Sequence, residues 1–174
     1  SIDSTVVTLT GTQTLTNKTI QGGAITSGTA VASTSGTSID FTGLPSWVKR
    51  ITVMFREVSQ TGTDNFLIQL GTSSGPITSG YISSCSGGSS PTSTAGFIVA
   101  EDTAAEKDIG QLVISIFSTS SWIASGTFTR SGSTAIRNSA GQLTGAGTID
   151  RVRITTTGGT NTFDFGSVNI LYEG

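Results

Sequence analysis

The chain has 174 residues, of which 34% are hydrophobic and only 11% are charged, and its net charge is −2 at neutral pH. Nine scattered Lys and Arg residues are too few for the basic surface that nucleic-acid binding requires, so nucleic acid is not expected as a partner. The absence of histidine removes the usual general base and the usual metal ligand, which excludes Ser-His-Asp and Cys-His catalysis.

Neither membrane insertion nor a disulfide is expected from the sequence. The single Cys85 has no second cysteine with which to form an internal disulfide. The longest apolar runs, such as residues 112–114, are far shorter than the ~20 residues of a membrane-spanning helix. The first residues do not show the charged and apolar regions of a secretory signal peptide.

The first predicted element is a polar leader over residues 1–36. Within it, residues 8–23 read TLTGTQTLTNKTIQGG, and Leu9, Leu15 and Ile20 are the only large apolar residues of this stretch. Such a segment cannot build a core alone, so it is either a flexible linker or extended chain that packs against copies of itself. We predict an extended leader in which these three apolar residues contact the same residues of neighbouring chains.

From residue 37 onward, short strand-like runs alternate with Gly, Ser, Asn and Pro. This pattern predicts an all-β head domain over residues 37–174, an antiparallel β-sandwich of the jelly-roll kind. Only residues 103–107 favour helix, and for one turn at most. The predicted strands are Ser38–Thr42, Val48–Val58, Asn65–Leu70, Gly80–Ser84, Gly96–Ala100, Ile109–Ser118, Trp122–Arg130, Ala135–Ser139, Ile149–Thr156 and Gly166–Tyr172.

Alternation of apolar and polar residues identifies the core faces of three of these strands. The side chains expected to face the core are Ile51, Val53 and Phe55, then Leu112, Ile114 and Ile116, then Val152 and Ile154. Because successive side chains of a strand point to opposite faces, their polar neighbours are expected to face solvent.

No segment matches a catalytic, metal or cofactor motif convincingly. Residues 101–108, EDTAAEKD, are either a solvated acidic loop or a weak calcium site, since hard cations prefer oxygen ligands. Residues 71–80, GTSSGPITSG, lack the Gly-Lys-Thr ending and following helix of a phosphate-binding loop. Hydrolysis of a glycosidic bond would need two facing carboxylic acids, and the sequence offers no clear pair. We therefore predict no catalytic residue, no metal and no cofactor.

Aromatic side chains flanked by polar groups are the best sequence-level candidates for a ligand site, because sugar binding usually relies on them. The aromatic candidates are Tyr81, Trp122 and Trp47. Their candidate polar partners are Asp64 and Asn65, with Gln69 and Asn138 as further options. The alternative for each tryptophan is a structural one, in which the ring covers the core at the start of a strand.

One short motif resembles a known family. Residues Thr14–Ile20, TLTNKTI, resemble a motif found repeatedly in tail-fibre and other virion-fibre proteins of tailed bacteriophages, where it commonly precedes a β-rich C-terminal domain. The stretches Asp40–Phe55 and Phe163–Gly174 also resemble, more loosely, small sandwich domains that end many phage structural proteins.

This resemblance implies a homotrimer whose leader is part of an intertwined shaft, located in the virion as a tail or capsid appendage. It implies a receptor-binding head that adheres to the host surface, with a glycan as the expected ligand and other virion proteins as partners. The alternative is a purely structural decoration or assembly protein without a ligand site. A glycan depolymerase is the least favoured function, so the chain is not expected to be an enzyme.

Overall fold

The computed structural model describes residues 25–86, 90–100, 104, 106–132 and 135–174. Leu9, Leu15 and Ile20 of the predicted leader lie outside these residues. The described strands are β1 (Thr26–Ser27), β2 (Val31–Ala32), β3 (Ile39–Thr42), β4 (Arg50–Gln60), β5 (Phe66–Thr72), β6 (Gly75–Pro76), β7 (Tyr81–Cys85), β8 (Thr92–Ser93), β9 (Phe97–Ala100), β10 (Asp108–Ser118), β11 (Ser121–Arg130), β12 (Ile136–Thr144), β13 (Arg151–Thr156) and β14 (Phe163–Glu173). No helix able to cross a membrane occurs in this part of the chain.

The strands form two antiparallel sheets. The large sheet has the order β1-β14-β4-β10-β11-β12-β7-β8, with β2 also paired to β14, and the small sheet has the order β3-β13-β5-β6, with β9 also paired to β5. The longer strands alternate between the two sheets along the chain, except for the meander β10-β11-β12. This alternation is typical of jelly-roll connections, and it confirms the predicted all-β antiparallel sandwich.

The core lies between the sheets and follows the predicted alternation. Ile51, Val53 and Phe55 of β4 are buried, as are the matching apolar residues of β10 and β13 except Ile116, which is half-buried and packs against the core. The ring of Phe55 contacts those of Phe66 and Phe128 edge-on, at 5.5 Å between centroids in both cases, and Phe66 stacks on Phe163 at 5.8 Å. These aromatic contacts join the inner faces of the two sheets.

Two buried serines close one side of the sandwich. One edge of β9 pairs with β5, and Ile98 lies opposite Leu67 in that pairing. On the other edge, the backbone N–H of Ile98 donates to Ser83 Oγ at 2.8 Å, and Ser139 Oγ donates to the Ile98 carbonyl. Hydroxyls from β7 and β12 therefore supply the hydrogen bonds that a further strand would otherwise provide.

A bulge between β4 and β14 is a local departure from the regular ladder. The register shifts between Phe163 and Ser167, and Glu57 adopts a φ of 54°. Gly166 has a φ of 90°, and a Cβ there would collide with the Glu57 carbonyl. Glycine is required at this position for both reasons.

The chain enters the sandwich at one of its two ends, and two hydrogen-bonded loops lie at the other. β1 pairs with the last strand, with Thr26 opposite Tyr172, so the segment before residue 25 joins the domain beside the end of β14. We call this the entrance end; it also carries loops 43–49 and 145–150. The opposite, far end carries loops 61–65 and 157–162, which are joined by the hydrogen bond from Thr61 N to Thr162 O at 2.9 Å.

Candidate functional site

Tyr81 is a core residue, which corrects the prediction that it binds a ligand. Its side chain is buried between the sheets, and its ring meets Phe97 edge-on at 5.0 Å. The phenolic oxygen accepts a hydrogen bond from Leu70 N at 2.9 Å and donates to Leu70 O at 3.4 Å. Burial raises the pKa of Tyr81 well above its ordinary value, so the phenol is neutral in the folded protein. A ligand at the surface cannot reach this hydroxyl.

The two tryptophans have different environments at the entrance end. Trp122 is buried and forms a wall of a cleft of about 270 Å³ together with Lys49 and Ile149, as the structural alternative predicted. Its burial corrects the prediction that Trp122 presents an aromatic face to a ligand. Trp47 is 46% exposed, and its ring lies 6.0 Å from that of Tyr172. Only Trp47 of the three aromatic candidates is accessible.

The polar candidates Asp64 and Asn65 lie at the far end, where they hold two loops together. Asp64 Oδ2 accepts hydrogen bonds from Gly158 N at 3.0 Å and from Thr156 Oγ1 at 3.3 Å. The Asn65 carbonyl accepts one from Thr157 N at 2.9 Å. The structure therefore separates these two residues from Trp47 by the length of the sandwich, and the predicted constellation does not assemble.

The two further polar candidates, Gln69 and Asn138, lie on different sheets. Gln69 is buried on β5, where its Nε2 donates to Ala95 O at 2.8 Å. Asn138 is exposed on β12, and its Oδ1 accepts from Thr127 Oγ1 at 3.2 Å. Neither side chain lies beside an aromatic candidate in one pocket.

The acidic segment 101–108 is described only in part. The Glu106 carboxylate accepts a hydrogen bond from Arg130, and the buried Asp108 Oδ1 lies 3.8 Å from Arg130 Nε. Lys107 Nζ lies 3.5 Å above the ring of Phe165. Among the described residues, no group of three or more His, Cys, Asp or Glu side chains could hold a metal ion. The described charges of this segment thus join β10 to β11 and β14.

The outer face of the small sheet also carries fixed charges. Arg153 forms two hydrogen bonds to Asp40, from Nε to Oδ1 at 2.8 Å and from the guanidinium NH₂ to Oδ2 at 2.9 Å. This paired carboxylate raises the pKa of Arg153 above its ordinary value. The groove of about 330 Å³ beside it is therefore a charged and internally bonded surface.

A different surface, on the outer face of the large sheet, has the properties of a binding site. It is a concave space of about 770 Å³ above β7, β12 and β11, and β8 forms one wall. We call it the outer groove. Its floor and walls include Ile82, Ile123, Ala140, Thr92, Thr94 and Gln142.

Strand register explains how the sequence builds this groove. Ile82 lies opposite Gln142, which lies opposite Ile123 on the next strand. Since side chains alternate along β7, burial of Tyr81 and Ser83 turns Ile82 outward, where it is 67% exposed. Ile123 is 48% exposed for the same reason, because Trp122 before it faces the core.

An exposed aromatic residue lies on β10, the strand next to β11, outside the lining of the groove. Phe117 is 75% exposed and follows Ser115, the register partner of Ile123, by two residues, at the point where the register of β10 and β11 shifts between Ile116 and Ser118. We call Phe117, Ile123 and Ile82 the apolar strip. Exposed apolar groups collected in one patch mark interaction surfaces more often than isolated ones do.

The outer groove is electrically neutral. Of the described residues, ten line the groove, and none of these has an ionisable side chain. Arg50, which lies opposite Ser115 on the same face, is paired with Glu173 at 2.8 Å. The groove can offer van der Waals contact and neutral hydrogen bonds, whereas proton transfer and metal binding would need groups that its lining does not supply.

The outer groove is not among the sites predicted from the sequence, because its described lining contains no aromatic residue. The available signal was the position of Ile82 and Ile123, each one residue after an aromatic side chain in a strand that alternates. No protein-family model matches the chain, and the searches of curated proteins and of solved structures give no match. The candidate site therefore rests on its own geometry.

Proposed function

We propose that this chain carries the head domain of a virion fibre of a tailed bacteriophage, and that it adheres to the host cell surface as a homotrimer. The observation that carries this proposal is the exposed, uncharged apolar strip, two residues of which line a groove of about 770 Å³. That volume falls within the roughly 300–1,000 Å³ of sites that take small molecules.

The path of the chain supports the attachment of such a head to a shaft. Residues Thr14–Ile20, which resemble the virion-fibre motif, come shortly before the point where the chain joins the entrance end. A shaft at that end leaves the side of the sandwich and its far end accessible. Three linked heads raise avidity without new contacts, so a modest affinity at each groove suffices for adhesion.

A binding role agrees with the way in which the described carboxylates are used. Asp64 accepts one hydrogen bond from the end of β13 and one from the loop after it, Glu106 accepts one from Arg130, and Asp164 accepts one from Ser59. These carboxylates hold strands and loops together, whereas a glycosidase needs two acids facing one bond across an open site. We therefore propose a module without enzymatic activity.

The first experiment measures oligomeric state and adhesion with the full chain. Light scattering should give three times the chain mass of 17.7 kDa, and the labelled trimer should bind host cells in a saturable manner. A stable monomer at micromolar concentration would overturn the fibre proposal. A trimer that binds neither cells nor glycans would favour the decoration alternative, and release of reducing ends from host polysaccharide would overturn the non-enzymatic proposal.

A further inference from the structure

The side chains around the outer groove provide unused hydrogen-bonding groups. Within the described part of the chain, no side-chain hydrogen bond joins Ser84, Thr92, Thr94 or Gln142 to another residue. Three hydroxyls and the amide of Gln142, which lies between Ile82 and Ile123, are therefore free to donate and accept hydrogen bonds in the groove. Such a surface matches a ligand that has both an apolar face and a rim of hydroxyl groups.

The charge of the lining selects among such ligands. A carboxylated or sulfated ligand would bring negative charge into a groove that has no cationic side chain to pair with it. Desolvating that charge would cost more than the neutral hydrogen bonds return, because hydrogen bonds between neutral groups are about half as strong as charge-assisted ones. An uncharged ligand meets no such penalty.

The extent of the groove favours a small ligand over a folded protein. Ten of the described residues line it, whereas a standard protein–protein interface involves about 20–30 residues on each side. Phe117, at the end of the apolar strip, adds an exposed ring against which the apolar face of a sugar can lie.

From these three observations we propose that the outer groove binds a neutral saccharide, a short run of uncharged hexose or deoxyhexose units. The apolar faces of neighbouring units lie on Ile82 and Ile123, which are two strand spacings or about 10 Å apart. The hydroxyls of these units bond to Gln142, which lies between the two isoleucines, and to Thr92 and Thr94. This inference names the ligand class of the proposed adhesive head and rests on that function.

The test uses the full-length chain, an array of neutral and acidic oligosaccharides, and host cells. Ile123→Asp places a charge on the floor and should weaken neutral-glycan and cell binding at least tenfold. Gln142→Ala should weaken binding by up to roughly tenfold, since it removes one or two neutral hydrogen bonds. The matched control is Ile136→Asp, because Ile136 is 60% exposed on the same face of β12 but lies outside the groove lining. All variants should retain the thermal midpoint and the trimer mass.

The outcomes separate the inference from the function on which it rests. If the chain binds cells and Ile123→Asp binds equally well, the groove is not the site, although the adhesive function stands. Preference for sialylated or uronic-acid glycans would overturn the neutral class. Periodate treatment of the cells should abolish binding and protease treatment should spare it; the reverse result would identify a protein receptor and overturn the saccharide inference. A trimer that binds neither cells nor glycans would overturn both proposals.

Discussion

The inner and outer faces of β7 and β12 use their side chains in opposite ways. On the inner face, the hydroxyls of Tyr81, Ser83 and Ser139 all bond to the backbone of neighbouring strands. On the outer face, Ile82 is exposed and Gln142 has no side-chain hydrogen bond within the described residues. Strands that cover a core usually carry apolar side chains inside and polar side chains outside. β7 and β12 depart from this pattern, because hydroxyl groups lie on their inner face and an isoleucine is exposed on their outer face.

The difference shows which of these side chains the fold needs. An unpaired buried carbonyl or N–H costs free energy, so the inner hydroxyls stabilise the sandwich by completing the hydrogen bonds of β9 and β5. An exposed isoleucine contributes little to folding, because folding leaves most of its surface in water. Residues of the outer face are thus available for binding, and substitutions on the two faces should have separable effects.

The largest difference in the free energy of unfolding is expected between Leu143→Ala on the inner face and Ile82→Ala on the outer face. Leu143 of β12 is fully buried, so Leu143→Ala should lower the free energy of unfolding by about 2–5 kcal/mol through lost contacts and a cavity. Urea denaturation followed by fluorescence measures this change. If Leu143→Ala lowered the free energy of unfolding by less than Ile82→Ala does, this part of the large sheet would not cover the core.

The next effect concerns the serine that bonds to β9. Ser139→Ala leaves the Ile98 carbonyl without its donor and should lower the free energy of unfolding by about 1–3 kcal/mol. Ser84→Ala is the control, since Ser84 is an exposed serine on the outer face of β7. Equal thermal midpoints for the two variants would contradict the structural role assigned to the inner hydroxyls.

A pH-dependent effect is expected at Tyr81. Its folded-state pKa is raised above that of the unfolded chain, so its contribution to stability is full below the unfolded value of about 10 and is lost as pH rises beyond it. Wild-type stability should therefore fall in the alkaline range. Tyr81→Phe should be less stable at neutral pH, because Leu70 N loses its acceptor, yet show a flatter alkaline profile.

Chemical denaturation between pH 7 and pH 11 distinguishes these two effects. Tyr172→Phe is the control, because it removes the same hydroxyl from a half-buried residue at the entrance end. A Tyr81→Phe variant whose stability falls with pH as steeply as that of the wild type would show that this phenol does not cause the alkaline loss.

The smallest effect is expected on the outer face. Ile82→Ala should change the free energy of unfolding by no more than about 0.5 kcal/mol, as is usual for exposed positions. The same denaturation assay applies, with Leu143→Ala measured in parallel. A loss near 2 kcal/mol would show that Ile82 supports the fold and would weaken the assignment of its face to binding.

The sequence was sufficient for most of the fold. All ten predicted strands occur, with bounds that differ by a few residues, because strands such as β4 and β10 alternate over many positions. β1, β2, β6 and β8 were not predicted, since a strand of two residues is too short to show alternation. The bulge at Glu57 also needed the structure, because only the register of β14 shows it.

The candidate site was much less predictable. An aromatic residue at the start of a strand faces the core or the solvent according to the phase of that strand, and this uncertainty placed Tyr81 and Trp122 among the ligand candidates. The outer groove depends on the pairing of β7 with β12, which brings Ile82 opposite Gln142 from a distant part of the sequence. Local pattern cannot supply that register.

The short strands beside β14 have a mechanical consequence. Residues 25–32 are held to β14 by β1, β2 and contacts such as Gly28 N to Ile170 O at 2.8 Å. Tension applied through the leader would reach these few hydrogen bonds before it reaches the buried side chains of β3. From Thr26 to Ala32 the chain already lies extended along β14 between Tyr172 and Ser167, so detaching it adds little length and moves the point of attachment from the entrance end toward β3. A pull through the leader would therefore detach β1 and β2 first and leave the sandwich and its groove folded.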